Sequence, residues 1–259
     1  MKALRTFWRA LVVIHYIIAG LLLTLGVALF QRPGKPHPAP GIVQWWHSRI
    51  CRALHLNVRL QGELPREPMF IVSNHISWMD IHVLGALGPL CFVSKWEVRN
   101  WPAVGWLAER AGTLFIRRGA GQTDELRRGM VERLNQGNHL VLFPEGTTTN
   151  GTEVRPFFPR LFAIAQETGI PLQPLALRYS QAGELSQAAP FIGDDLLVPS
   201  IVRILEQDGI DVDIHVTEPL IQCGSDRKTL ASNARAAILN ALQDTRKTSP
   251  AADDVACQG

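Results

Sequence analysis

From Ala10 to Phe30 the chain carries no Asp, Glu, Lys or Arg, and only His15, Tyr16 and Thr24 interrupt its apolar character. At about 1.5 Å per residue such a helix approaches the roughly 30 Å of a bilayer core, which makes it a membrane-helix candidate. Lys2, Arg5 and Arg9 precede it like the start of a signal peptide, but the run is long and no A-x-A cleavage site follows. A run apolar on all faces at a chain terminus also fits a buried core helix poorly. Ile42, Trp46, Ile50 and Leu54 then recur at i,i+4 spacing, with Trp45, His47, Arg49 and Arg52 beside them. That pattern fits a helix lying at a membrane surface, or a stripe packed on the domain. Pro33, Pro36, Pro38 and Pro40 break the chain between the two segments. Residues 1–55 are therefore expected to form a helical hairpin that dips into one leaflet. Arg32 and Lys35 balance the positive charge across the apolar run, so the charges choose no orientation.

Beyond residue 56, short β-rich runs alternate with helical patterns, the signature of an α/β domain with a largely parallel, mixed sheet flanked by helices. Strands are predicted at Asn57–Gln61, Met69–Ser73, Leu90–Ser94, Thr113–Ile116, His139–Phe143, Leu172–Tyr179 and Asp211–Val216. Helices are predicted at Trp78–Leu87, Val104–Ala111, Thr123–Asn135, Pro159–Thr168, Leu196–Glu206 and Arg227–Arg246. Gly137 and Gly169 act as stop signals, and Pro159 suits a first helical turn. The catalytic domain is expected over 56–247, and the polar, Ala/Asp-rich residues 248–259 read as a disordered tail.

Composition narrows the function classes. A length of 259 residues fits one large domain plus an appendage. The net charge of +3, without an RNP-like, zinc-finger or helix-turn-helix pattern, argues against nucleic acid. A mild basic excess suits an anionic membrane surface or an acidic carrier protein. Cys51, Cys91, Cys223 and Cys257 are far apart and form no C-x-x-C pair or Cys/His cluster, so they read as reduced thiols of a cytosol-facing domain.

Three segments carry candidate chemistry. His75 follows the apolar strand ending at Ser73 and precedes a helical pattern, with Asp80 five residues on, about one turn into that helix. A carboxylate there fixes the imidazole tautomer and stabilises its charged form while the other ring nitrogen takes a proton from a hydroxyl. Taken alone, H-x-x-x-x-D more often marks a structural pair. A second apolar strand leads into Phe143-Pro144-Glu145-Gly146-Thr147-Thr148-Thr149, either a simple turn or a loop sharing the ligand edge of a parallel sheet with His75. The third segment, Gly112 to Arg118, delivers Arg117 and Arg118 to the same kind of edge, where guanidinium groups hold phosphate or carboxylate.

In this order the segments resemble the phospholipid/glycerol acyltransferase family that contains the 1-acylglycerol-3-phosphate acyltransferases, over roughly residues 56–220. Asn74-His75 with Asp80 is similar to its N-H-x4-D block. Gly112 to Arg117 is similar to its G-x-x-F-I-x-R block, shortened by one residue so that Arg118 is an alternative to Arg117. Phe143 to Thr147 resembles F-P-E-G-T, Gly169 to Leu175 the last proline-containing block, and Phe92 to Lys95 a segment contributing a channel lysine. The resemblance implies His75 as general base and Asp80 as its orienting partner, with Lys95, Arg117, Glu145, Gly146, Thr147 and Thr148 as the acceptor-binding set. It implies an acyl thioester of coenzyme A or acyl-carrier protein as donor, a lysolipid acceptor from the membrane, and no metal or redox cofactor. The expected location is the inner leaflet of a bacterial cytoplasmic membrane, with the catalytic domain facing the cytosol.

One position departs from the pattern. Glycerophosphate enzymes commonly carry Arg after the Gly-Thr pair, whereas this chain has Thr148, and E-G-T-T-T resembles the branch that acylates lyso-ornithine lipids. Arg117, Arg118 or Arg155 would still serve phosphate, so 1-acylglycerol-3-phosphate is placed first and lyso-ornithine lipid second. A noncatalytic lipid-binding protein is the alternative of another class. Hydrolysis is disfavoured because no G-x-S-x-G elbow is present.

Overall fold

The computed structural model describes residues 2–28, 40–88, 90–102, 104–116, 123–163, 165, 169–221 and 226–248. The helices are α1 Lys2–Ala28, α2 Pro40–Ala53, α3 Met79–Gly85, α4 Trp96–Arg99, α5 Val104–Arg110, α6 Thr123–Asn135, α7 Leu197–Leu205 and α8 Arg227–Thr248. The strands are β1 Leu56–Gln61, β2 Phe70–Ser73, β3 Leu90–Lys95, β4 Leu114–Ile116, β5 His139–Leu142, β6 Leu172–Gln181, β7 Glu184–Leu185 and β8 Ile210–Val216. They form one sheet in the order β1-β8-β6-β2-β5-β3-β4, with β7 added to β6. Every pairing is parallel except those of β6 with β7 and β8, which agrees with the expected mixed sheet.

The central strands are buried on both faces, which explains why they read as apolar runs rather than alternating ones. Ile71, Val141, Leu175 and Leu177 face a core completed by Ile50 of α2 and Leu54 just after it, Met79, Val83 and Leu84 of α3, and Ile204 and Leu205 of α7. Phe70, Val72, Leu140, Leu142 and Ala176 face a second core with Met130 and Leu134 of α6 and Leu230, Ala234 and Ile238 of α8. The period-two alternation thus separates two helical layers across one sheet.

Two expectations change. The helix predicted over Pro159–Thr168 begins as a 3-10 turn, Pro159–Phe162. The i,i+4 stripe of α2 lies on the domain: Ile50 and Leu54 are core, and His47 is buried with Nδ1 3.0 Å from Nδ1 of His82 in α3. Gly85 makes room for that ring, since a Cβ there would come 2.5 Å from His47 Cδ2. Ile42 and Trp45 remain exposed on the outer face, with the Arg49 guanidinium 5.4 Å from the Trp45 ring. The link over 29–39 and the tail over 249–259 lie outside the described residues.

α1 is also seated along one side. Arg5 pairs with Asp208, Arg9 donates to the Leu205 carbonyl at 3.0 Å, Val13 is buried, and Trp46 Nε1 donates to the Tyr16 carbonyl at 2.7 Å. The opposite side, with Leu4, Phe7, Trp8, Leu11, Ile18 and Leu22, is exposed.

Candidate active site

Parallel registers set the site. β2 lies between β5 and β6, pairing Val72 with Leu142 and Ser73 with Leu175, so the loops after β2 and β5 leave the same carboxyl edge. Asn74 extends the β2–β6 ladder by one rung through its side chain. Its amide nitrogen donates to the Leu177 carbonyl at 2.9 Å, and its carbonyl oxygen accepts from Leu177 N–H at 2.8 Å. The residue before the histidine is thereby fixed to the sheet.

His75 Nδ1 lies 2.7 Å from Asp80 Oδ2, leaving Nε2 as the nitrogen not engaged by the carboxylate. Asp80 is fully buried, and the same oxygen accepts the N–H groups of Ile76 at 2.8 Å and Ser77 at 3.0 Å. Oδ1 accepts the Tyr179 hydroxyl at 2.7 Å. Burial first, then the charge of Asp80, holds the Tyr179 hydroxyl well above its ordinary range, so it stays a donor. Four donors offset the cost of keeping a carboxylate in a dry core. The His75 ring stacks on Phe143 with centroids 4.1 Å apart and planes at 13°, and the side chain is 21% exposed. The exposure opens the ring to substrate.

Glu145 is buried, with both oxygens engaged. Oε1 accepts His75 N–H and Oε2 accepts Arg155 N–H, each at 2.7 Å. Burial pushes its carboxyl up to about 6, and the two amide bonds pull the other way. Gly146 follows at φ +67, a left-handed turn, and a Cβ there would come 2.7 Å from the Phe158 ring. Thr147 is half-buried in the same loop. Thr148 Oγ1 donates to the Phe191 carbonyl, whereas Phe191 N–H donates to the Ile76 carbonyl at 3.0 Å. Thr149 N–H donates to the His75 carbonyl at 2.8 Å. The loops after β2 and β5 are thus stitched together through main chain on both sides of the histidine.

The remaining predicted residues sit farther off. Lys95 ends β3, exposed, two strands from β2 and so about 10 Å along the sheet. Arg117 and Arg118 lie outside the described residues, immediately after β4. Sequence reasoning missed Tyr179, Phe143 as the stacking partner, and the Arg155 main chain. Tyr179 had a signal, because it continues the alternation of Leu175 and Leu177 toward the core that contains α3, and a buried tyrosine needs an acceptor.

The arrangement holds the His75 imidazole against a buried carboxylate on a loop locked to its neighbour, a geometry able to take a proton from a hydroxyl, and the sequence carries no G-x-S-x-G elbow. The family model described as Acyltransferase matches residues 55–178, which include both loops. A lyso-ornithine lipid O-acyltransferase from Pseudomonas aeruginosa is 45% identical over 95% of this chain and 96% of its own length. One from Brucella abortus is 35% identical over 76% of this chain and 82% of its own. The crystal structure of a 1-acyl-sn-glycerophosphate (LPA) acyltransferase from Thermotoga maritima superposes with a TM-score of 0.69 at 21% identity, covering 94% of this chain and 97% of that one. With one relative aligned over almost its whole length and the model spanning the His75 and Glu145 loops, the chain belongs to the acyltransferase family.

Proposed function

We propose that the protein transfers a fatty acyl group from an acyl thioester to the hydroxyl of a lysolipid, with His75 as base and Asp80 as its fixed partner. The 2.7 Å contact between His75 Nδ1 and Asp80 Oδ2 carries this reading. Nε2 takes the acceptor's hydroxyl proton as the oxygen attacks the thioester carbonyl. The tetrahedral intermediate collapses with expulsion of the thiolate, and the imidazolium returns the proton to sulfur. The thioester carbonyl is already activated, so the chemistry needs no metal or redox cofactor. The donor is acyl-CoA or acyl-carrier protein.

Lyso-ornithine lipid is the acceptor best supported. Both relatives described above carry that activity in their names, and the Thr148 hydroxyl is spent on the Phe191 carbonyl at the position where a phosphate-binding arginine is common in glycerophosphate enzymes. 1-Acylglycerol-3-phosphate, placed first from the sequence, is the second reading, favoured by the Gly112–Arg117 block.

The exposed apolar side of α1 supports attachment to one leaflet. A 27-residue helix of about 40 Å reaches across a bilayer core, but α1 is bound to the domain from Arg5 to Tyr16, and crossing would carry the domain into the hydrocarbon. These contacts support a helix lying in the interface, and a coenzyme A or acyl-carrier protein donor supports a catalytic domain on the cytosolic side.

The test offers the purified protein acyl-CoA and acyl-carrier protein with a panel of lysolipids and identifies products by mass spectrometry. His75→Ala is expected to fold and bind membranes while losing about 10²–10⁴-fold in transfer. Full activity in that variant rejects the mechanism, and free fatty acid released faster than diacyl product rejects the acceptor class.

A further inference from the structure

The main chain of Arg155 is tied to the catalytic loop. Its N–H donates to Glu145 Oε2 at 2.7 Å, and the other oxygen of that carboxylate accepts His75 N–H at 2.7 Å. One carboxylate therefore spaces the base and the arginine. Arg235 holds the segment from the other side, donating from Nε to the Arg155 carbonyl at 3.2 Å and from Nη2 to the Val154 carbonyl at 2.7 Å. Three residues on, Phe158 N–H donates to the Pro144 carbonyl at 2.9 Å, and the Phe158 ring covers Gly146. The stretch from Val154 to Phe158 is thus moulded on the Pro144–Gly146 loop.

The Arg155 side chain is exposed and makes no hydrogen bond or ion pair among the described residues. Other arginines are spent on structure: Arg9 and Arg235 on carbonyls, Arg203 on Asp195 and the Pro190 carbonyl, Arg99 on Glu109. Thr147, Thr148 and Thr149 bring no charge to the loop. Among the described residues, Arg155 is the exposed arginine whose own backbone is bonded to the carboxylate that holds His75 N–H.

We propose that Arg155 determines acceptor specificity by binding the anionic headgroup of the lysolipid while the hydroxyl meets His75. The proposal rests on lysolipid acyl transfer as read above. A guanidinium fork fits a carboxylate, as on an N-acylated amino acid, and equally a phosphate, as on a lysoglycerophospholipid. Mounting it on backbone that shares a carboxylate with the base places the headgroup site beside the reacting end, where it adds to binding of the acceptor in ground state and transition state alike. A merely solvated arginine has no such tie to the catalytic loop.

The test compares the full chain with Arg155→Ala and Arg155→Lys in detergent micelles, for binding in a His75→Ala background and for turnover with His75 intact. The ligands are lyso-ornithine lipid, its carboxyl methyl ester, 1-acylglycerol-3-phosphate and uncharged monoacylglycerol, with acyl-CoA as donor. Arg155→Ala is expected to weaken binding, and to raise KM, by about tenfold for the anionic acceptor that the unsubstituted chain prefers. It should leave the uncharged analogue, the donor KM and kcat within about twofold. Arg155→Lys should recover part of the loss. Equal loss for charged and uncharged ligands, a fall in kcat with unchanged KM, or no change in anion binding overturns the assignment. Anion-selective binding that depends on Arg155 but comes with no acyl transfer sinks the acyl-transfer reading and leaves Arg155 as a headgroup site.

Discussion

Glu145→Gln separates two roles for the loop after β5. If Glu145 contacts the acceptor, the substitution weakens acceptor binding; if it bridges main-chain amides, as the two 2.7 Å contacts indicate, it disturbs the base. Glutamine keeps one carbonyl oxygen and turns an NH2 toward the other amide, so one charge-assisted bond of about 1.5–3 kcal/mol is lost. Against this, burial outweighs the two amide bonds and pushes the carboxyl from the ordinary 4.5 up to about 6, a net cost to the charged form of about 2 kcal/mol that a neutral amide escapes. The two terms nearly offset, so the net stability change is small, of the order of 1 kcal/mol. Geometry has no such offset: either His75 or Arg155 loses its amide partner, and about 1 Å of misplacement at a reacting group costs on the order of 10²-fold. The expected result is a fall in kcat of about 10–100-fold, acceptor KM within about threefold, and little change in the unfolding midpoint. Mass-spectrometric initial rates over a range of lysolipid concentrations provide both constants. A rise of more than about tenfold in acceptor KM at unchanged kcat would refute the bridging role.

Tyr179→Phe keeps a ring in a buried slot but leaves Asp80 Oδ1 without its donor, and kcat/KM should fall about tenfold or more, read in the same assay. Unchanged activity would show that the hydroxyl is dispensable. Gly146→Ala puts a Cβ at φ +67 against the Phe158 ring and should cost roughly 1–3 kcal/mol by urea unfolding, with loss of transfer. The buried His47–His82 pair predicts acid sensitivity: burial pushes His82 down to about 4, and burial with the neighbouring ring holds His47 well below its ordinary range. The unfolded chain takes these protons below about 6.5 while the folded chain refuses them, so stability is full above that pH and is lost as pH falls toward 4. Between pH 7 and 5 the loss should be roughly 3–4 kcal/mol for the two rings together, and a double variant with both rings replaced by Gln should be flatter; equal slopes would remove the pair as the cause.

How far the fold was legible follows from which interactions are local. The strand at Phe70–Ser73 and the helix at Thr123–Asn135 stood out because an apolar run and a 3.6-residue period state their own geometry. The α2 stripe was legible as a stripe but not as to its cover. Ile50 and Leu54 look the same facing lipid or α3, and the choice depends on Gly85, more than thirty residues away, leaving space for His47. The segment after Pro159 was legible as a helix start, which proline favours, but not as one that opens with a 3-10 turn over Pro159–Phe162.

At the site, the two carboxylates near His75 show where motif reading reaches its limit. Asp80 was assigned through its side chain because five residues along one turn bring it back to the ring, a relation set by local geometry. Glu145 lies seventy residues away, and its effect on His75 passes through backbone N–H, a group every residue but proline carries and no sequence pattern displays. The same blindness hides Tyr179, ninety-nine residues from Asp80, whose contact exists because β6 runs beside β2 in one register. Yet the register, once known, makes all three contacts follow together: the strand ending at Ser73 aims His75 between the two neighbouring strands, one supplying the acid that holds its main chain and the other the hydroxyl that holds its partner. A substitution that shifted β2 by one residue would turn its side chains to the opposite face and uncouple both, which makes the Asn74 rung on Leu177 a register lock for the His75 loop.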